Sequence, residues 1–192
     1  MPFSLTLSHV GIFVSNLPAM EDFYTRFMGF AVSDRGRRPD GAEIVFLTRD
    51  PGEHHQLVLV SGRPESVGFN VVNQLSFRVD SLATLRALYE GLEHEAVSGI
   101  ETLTHGNALS VYFRDPEGNR VELLIDTPWY VPQPHYLDVD LTAPDEALWA
   151  AIERHVRATP GFMPVAQWRA ETERRIAQAT AARGGARARV AG

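Results

Sequence analysis

An internal repeat constrains the fold of this chain more than any other feature of the sequence. Three pairs of segments align at one constant offset of 65 residues: HVGIFVSNL at 9–17 with QLSFRVDSL at 74–82, Tyr24 with Tyr89, and an Arg-Asp-Pro triplet at 49–51 with the same triplet at 114–116. Independent anchors at a single offset indicate that a structural unit has been duplicated.

Each copy of the repeat predicts a strand, a helix and three further strands. The first copy has strand-like runs at 5–14, 31–34, 42–48 and 55–61, with a helical pattern over 18–28. The second copy has strand-like runs at 73–79, 97–103, 108–113 and 120–126, with a helical pattern over 81–93. The predicted fold class is therefore α+β, with tandem βαβββ units at residues 1–66 and 67–137.

A helical extension is predicted for residues 138–192, with helices over 144–157 and 164–182. We predict that the apolar residues of these helices, together with Trp129-Tyr130, form a surface between subunits. Packing onto the chain's own sheets is the alternative. The final segment, RGGARARVAG at 183–192, has no apolar run and predicts a disordered basic tail.

Composition excludes several kinds of chemistry. The chain has no cysteine and all eighteen of its basic residues are arginine, so disulfides, thiolate ligands and lysine Schiff bases are excluded. A net charge of −6 and the absence of a basic stripe before the C-terminus argue against nucleic-acid binding. No apolar run approaches a membrane span and no signal sequence is visible, so we expect a cytoplasmic protein.

One carboxylate interrupts an apolar strand. In the run RVELLID at 120–126, Glu122 shares a face with Leu124, while the alternate residues point to the other side. A carboxylate in this setting costs several kcal/mol unless it is paired or binds a cation. Glu122 is therefore the first candidate for a functional residue.

The tandem βαβββ pattern resembles the vicinal oxygen chelate superfamily, which includes glyoxalases, bleomycin-resistance proteins and extradiol ring-cleaving dioxygenases. The resemblance implies an eight-stranded open barrel around a metal cavity, with ligands from the first and last strand of each unit. Carried over by position, these places are His9, Leu57, Gln74 and Glu122. Because Leu57 cannot bind a metal, the resemblance implies a site formed by His9, Gln74 and Glu122.

A metal site with three protein ligands resembles that of the extradiol dioxygenases, although Gln74 occupies the position where those enzymes have a histidine. The stretch SVYFR at 110–114 also follows their pattern, in which the tyrosine, here Tyr112, borders the substrate. The pair His54-His55 resembles their paired histidines, whose second member is the acid–base catalyst. His105 resembles a substrate-binding histidine at the cavity edge. Alternation places His55 on the same face as Leu57, whereas His94, His135 and His155 are interpreted as surface or hydrogen-bonded residues.

The function implied by this resemblance is a metal-dependent extradiol-type dioxygenase that uses O2 to cleave a catechol-like aromatic. Fe(II) is the expected metal, with Mn(II) or another divalent ion as alternatives, and a homo-dimer or larger homo-oligomer is expected. Two alternative functions remain open. One is a metal-dependent lyase, isomerase or epimerase that stabilises an enediolate, and the other is a non-catalytic small-molecule binder. Gln74 favours the binder, whereas His9, His55 and Glu122 favour an enzyme.

Overall fold

Both copies of the repeat have the predicted order of elements in the computed structural model, which describes residues 5–64, 66 and 68–190. Two strands are shorter than predicted, since the first begins at Val10 rather than residue 5 and the fourth at Leu57 rather than residue 55. The first unit consists of β1 (Val10–Val14), α1 (Leu17–Asp22), β2 (Ala31–Arg37), β3 (Glu43–Thr48) and β4 (Leu57–Ser61). The second consists of β5 (Leu75–Arg78), α2 (Leu82–Gly91), β6 (Ser98–Thr104), β7 (Ala108–Arg114) and β8 (Arg120–Asp126). A π-helical turn (Phe23–Phe27) extends α1, and a 3-10 turn (Leu92–His94) extends α2.

The two helices begin at equivalent places in the repeat. Asn16 caps α1 by accepting a hydrogen bond from the backbone N–H of Ala19 at 3.1 Å. Ser81, 65 residues later, caps α2 by accepting from the backbone N–H of Thr84 at 3.1 Å. A side-chain oxygen at this position satisfies one of the free N–H groups in the first turn of a helix.

Each unit forms one sheet in which the first and last strands are parallel neighbours. The strand order is β1-β4-β3-β2 in the first sheet and β10-β6-β7-β8-β5 in the second, where β10 (Leu137–Asp138) comes from the C-terminal extension. Within the described residues the two sheets do not close into a barrel, in agreement with the predicted open arrangement. A third, two-stranded sheet pairs β9 (Trp129–Tyr130) with β11 (Met163–Pro164).

The turn between β7 and β8 fastens the second unit to the helix of the first. The Glu117 carboxylate accepts the backbone N–H groups of Ser15 at 2.8 Å and Asn16 at 2.6 Å. The Tyr24 hydroxyl donates to Asp115 Oδ2 at 3.1 Å in a buried setting. A negative charge at this end of a helix is favourable because the free N–H groups carry positive partial charge. These contacts fix the orientation of the second sheet relative to α1.

The C-terminal extension packs onto its own chain. In α3 (Asp145–Ala158) the side chains of Leu148, Ile152 and Val156 are buried and belong to the same hydrophobic cluster as the two units. Trp168 of α4 (Val165–Val190) stacks on Tyr130 with ring centroids 5.4 Å apart. The apolar face of α3 is thus covered within the chain, so the surface between subunits predicted for that face is wrong.

Helix α4 also extends further than the sequence predicts. Its backbone is helical through Val190, so residues 183–190, which we predict to be disordered, are helical instead. Alanine and arginine, which dominate this stretch, are strong helix formers, whereas residues 191–192 lie outside the described residues. Although α4 is 26 residues long, neither it nor another helix in the described part of the chain is long and apolar enough to cross a membrane.

Candidate functional site

Glu122 is buried at the centre of a hydrogen-bond cluster on the second sheet. The residue is 4% exposed. Four uncharged side chains donate to its carboxylate: Ser110 at 2.8 Å and Tyr112 at 2.6 Å to Oε1, and Gln74 at 2.9 Å and Ser76 at 2.6 Å to Oε2. Hydrogen bonds to a charged group contribute about 1.5–3 kcal/mol each, which offsets the cost of burying the carboxylate.

The register of three neighbouring strands brings these donors together. Ser76 of β5 lies opposite Glu122 of β8, and Tyr112 of β7 lies opposite the same residue on its other side. Side chains at paired positions share one face of a sheet. Sequence reasoning missed Ser76 and Ser110, although each lies two residues from a predicted site residue and therefore on the same face.

His105 extends the cluster through the Tyr112 hydroxyl. Its Nε2 lies 2.9 Å from that hydroxyl, and its Nδ1 lies 2.8 Å from the backbone carbonyl oxygen of His135. The carbonyl only accepts, so Nδ1 carries a proton. The Tyr112 hydroxyl thus lies within hydrogen-bond distance of both Glu122 and His105. His105 Nε2 is 3.9 Å from Glu122 Oε1.

Tyr112 itself remains a phenol near neutral pH. Burial, followed by its hydrogen bond to Glu122 and the charge of that carboxylate, raises the pKa of Tyr112 well above its usual value. The guanidinium of Arg120 lies 4.2 Å from the centre of the Tyr112 ring. Tyr112 is therefore a hydrogen-bonding group that connects His105 to Glu122.

A cavity of about 430 Å³ opens beside this cluster. The predicted site residues Gln74, His105, Tyr112 and Glu122 all line it, as do Arg78, Asn107 and Gln133. Its size falls within the range of small-molecule sites, about 300–1,000 Å³. Four of the six predicted site residues thus share one cavity.

The two remaining predicted residues, His9 and His55, lie together on the first unit. Their ring centroids are 4.2 Å apart, and the His55 ring lies 5.0 Å from that of Phe46. His54 Nδ1 is 2.8 Å from His55 Nδ1, and His54 Nε2 is 2.9 Å from Asp34 Oδ2. Burial, with the neighbouring charges of His9 and His54, lowers the pKa of His55, so this imidazole is neutral near pH 7.

The three predicted metal ligands have different neighbours in the structure. Gln74 and Glu122 are in direct contact, whereas His9 lies against His55 and Ser8. Across the described residues, no group of three or more His, Cys, Asp or Glu side chains is arranged to hold a metal ion. The structure therefore brings Gln74 and Glu122 together, and ligation by His9 stays a prediction.

The vacant ligand position is Val58 rather than Leu57. Gly11 pairs with Val58 in the first sheet as Ser76 pairs with Glu122 in the second, whereas Leu57 is fully buried in the core. Val58 follows the repeated Arg49 by nine positions, whereas Glu122 follows Arg114 by eight, so the offset changes from 65 to 64. The alternation argument for His55 also fails, because residues 51–56 form turns and bends rather than a strand.

Residues 6–123 match the sequence model of the family described as Glyoxalase/Bleomycin resistance protein/Dioxygenase superfamily. The chain is 31% identical over 123 residues to biphenyl-2,3-diol 1,2-dioxygenase 2 of Rhodococcus globerulus, covering 62% of each chain. It is 32% identical over 125 residues to biphenyl-2,3-diol 1,2-dioxygenase 3 of the same organism, covering 62% of this chain and 63% of the relative. The chain thus aligns with less than two thirds of either relative.

Solved structures show the same fold. A glyoxylase/bleomycin resistance protein/dioxygenase domain from Frankia sp. EAN1pec matches with a TM-score of 0.53 and 26% identity, covering 65% of this chain and 100% of that domain. The trypanothione-dependent glyoxalase I of Leishmania major matches with a TM-score of 0.52 and 22% identity, covering 64% of this chain and 87% of that protein. The second likeness concerns the fold alone.

Proposed function

The chain belongs to the Glyoxalase/Bleomycin resistance protein/Dioxygenase superfamily, and from this premise we propose that it is a metal-dependent, extradiol-type dioxygenase acting on a catechol-like aromatic. The observation that carries the proposal is the buried Glu122 carboxylate, which meets Tyr112 at one wall of a cavity of small-molecule size. The 31% identity to a biphenyl-2,3-diol dioxygenase supports the same substrate class.

The proposed metal ligands are His9, Gln74 and Glu122. An imidazole, an amide oxygen and a carboxylate form a donor set that suits Fe(II) or Mn(II) and leaves coordination positions open. In the described conformation the Gln74 amide does not fit a bound ion, since its N–H donates to Glu122, and His9 contacts His55. The ligand set is therefore a proposal from donor chemistry and family position.

The remaining roles belong to groups that can bind and move protons on a phenolic substrate. The Tyr112 hydroxyl and the His105 imidazole form a continuous hydrogen-bonded pair, suited to orienting a substrate hydroxyl at the cavity wall. We assign His55 the role of general base, because its lowered pKa leaves an unprotonated nitrogen near neutral pH. Burial beside Phe46 separates this imidazole from bulk water on one side.

A non-catalytic small-molecule binder is the second candidate. The specific observation in its favour is that both oxygens of Glu122 are already occupied by four uncharged donors. A carboxylate satisfied in this way needs no cation to remain buried. A metal-dependent reaction through an enediolate would use the same residues, and substrate tests separate it from ring cleavage.

The deciding experiment measures oxygen uptake with catechol and 2,3-dihydroxybiphenyl after anaerobic loading of the full chain with Fe(II). We expect uptake and a yellow ring-cleavage product with wild type, and loss of both with Glu122→Gln. The control is Glu43→Gln, which removes an exposed carboxylate on β3. Tight catechol binding without oxygen uptake in the Fe(II)-loaded wild type would establish the binder instead.

A further inference from the structure

We propose that His135 and His155 form a separate two-histidine site for a divalent transition-metal ion such as Zn²⁺. His155 lies on α3 and His135 lies in the segment between β9 and β10, so the site joins two parts of the C-terminal extension. Their Nε2 atoms are 3.2 Å apart, and their ring centroids are 5.1 Å apart. The pair lies outside residues 6–123, which match the family, and the proposal does not depend on dioxygenase activity.

The distances between the two rings fit a shared ion. With Zn–N bonds of about 2.0–2.1 Å and a tetrahedral angle, two nitrogen ligands lie about 3.3 Å apart and their ring centres about 5.2 Å apart. Both values agree with the observed 3.2 Å and 5.1 Å. A straight hydrogen bond between the same nitrogens would separate the ring centres by about 5.5 Å. The observed ring separation of 5.1 Å is thus nearer to that of two ligands on one ion than to that of a straight hydrogen bond.

The protonation state of His135 also suits metal binding. Burial, with the nearby imidazoles of His155 and His105, lowers the pKa of His135, and the neutral imidazole is the form that binds metals. In the part of the chain that the structure describes, no third His, Cys, Asp or Glu completes a metal-binding group. The ion would therefore have two protein ligands, with water in the remaining positions.

Both ligands are held by ordered surroundings. On α3, His155 is followed by Val156, which is fully buried. The backbone carbonyl of His155 accepts a hydrogen bond from Thr159 Oγ1 at 3.0 Å. The backbone carbonyl of His135 accepts from His105 Nδ1 at 2.8 Å. A metal bridging His135 and His155 would fasten this segment to α3 and so fix the carbonyl that holds His105 beside Tyr112.

The test uses the metal-free full chain with Glu122→Ala as background, so that the proposed dioxygenase site does not contribute. Zn²⁺ binding is measured by titration calorimetry, with Co²⁺ absorption as a second reading of coordination. We expect about one equivalent of Zn²⁺ per chain, and a loss of affinity of at least about tenfold with either His135→Gln or His155→Gln. The control is His94→Gln, because His94 is exposed and lies outside the pair.

Circular dichroism of the metal-free variants checks that they fold. Cu²⁺ electron paramagnetic resonance of the Glu122→Ala protein gives a second reading, and the expected signature is coupling to two imidazole nitrogens that His155→Gln abolishes, since His9, His54 and His55 also lie together. Unchanged Zn²⁺ affinity in folded His135→Gln and His155→Gln proteins would overturn the proposal. Copper coupled to fewer than two imidazoles would overturn it as well. Loss of binding in both folded variants with His94→Gln unaffected would support it.

Discussion

The two repeated units share a backbone plan but differ in what they place on corresponding faces. In the second unit, Glu122 lies buried opposite Ser76 and Tyr112. In the first unit the equivalent position is Val58, which pairs with Gly11. The helix caps and the apolar core have been kept in both copies, whereas the polar cluster is built in only one. The two units therefore share their backbone and apolar core, and they differ in the side chains on the sheet face that carries Glu122 in one unit and Val58 in the other.

The same contrast applies to the repeated Arg-Asp-Pro triplet. Asp115 is 3% exposed and accepts hydrogen bonds from Tyr24 at 3.1 Å and from the side chain of Asn119 at 2.8 Å. Its counterpart Asp50 is exposed, and the Asp50 carboxylate accepts a hydrogen bond from the backbone N–H of Gly52 at 2.8 Å. One copy of the motif fastens the two units together, and the other makes an exposed turn.

The largest effect is expected from a substitution in the first unit, which tests whether that unit contributes to catalysis. His55→Gln should lower turnover of a catechol by about 10²- to 10⁴-fold, the usual contribution of a positioned acid–base group, while metal content stays unchanged. Steady-state oxygen uptake and metal analysis measure the two quantities. The control is His94→Gln, since His94 is exposed and lies in the 3-10 turn of the second unit. Equal losses in both variants would contradict a specific role for His55.

Placing a carboxylate at the equivalent position of the first unit should destabilise the fold. Val58→Glu places a charge opposite Gly11, where no hydroxyl donors correspond to those around Glu122. We expect the free energy of unfolding to fall by about 3–5 kcal/mol at pH 7. Urea denaturation measures it, and Val58→Gln separates the effect of charge from that of size. A stability equal to wild type would mean that the face beside β4 is better solvated than its burial indicates.

Much of the fold could be predicted because the same order of strands and helix is visible in both copies of the repeat. The sequence places β8 at 120–126, and the structure has it at Arg120–Asp126. Glu122 and Tyr112 can be predicted to share one face of the sheet, because both lie in regular strands where alternation and the sequence motif agree. The face of Leu57 could not be predicted, since one additional loop residue shifts the register, and apolar residues give no sign of which side they face.

The packing of the C-terminal helices could not be predicted from the sequence either. The residues Leu148, Ile152 and Val156 indicate an apolar stripe, but a stripe does not specify whether its own chain or a partner covers it. The contact between His9 and His55 depends on the turns at 51–56, where alternation no longer applies. The divergent parts of the two units are therefore the parts that sequence reasoning places least well.

A smaller effect is expected from the duplicated turn. Asp115→Asn should lower the free energy of unfolding by about 2–3 kcal/mol, because it weakens acceptance of several buried hydrogen bonds. The equivalent change Asp50→Asn should cost under about 0.5 kcal/mol, as is usual for exposed positions. Thermal and urea unfolding of the two variants side by side measure the difference. Comparable losses would show that the two turns stabilise the fold to the same extent.

The smallest effect concerns the feature that both units retain. Asn16→Ala and Ser81→Ala each remove a helix cap, and each should cost about 1 kcal/mol. The first value should be the smaller of the two, since Glu117 also accepts N–H groups at the start of α1. Urea unfolding midpoints provide the comparison. A clearly larger cost for Asn16→Ala would mean that Glu117 does not share the capping of this helix.

The central claim is that the functional carboxylate belongs to the second unit alone. Its most direct test is the Fe(II) content of anaerobically loaded protein with Glu122→Val, which gives the second unit the residue found at the equivalent place in the first. Wild type should hold about one Fe(II) per chain in the proposed site, and folded Glu122→Val should lose it while keeping any ion bound by His135 and His155. The same Fe(II) content in both proteins, under conditions where His135→Gln also leaves it unchanged, would contradict the account.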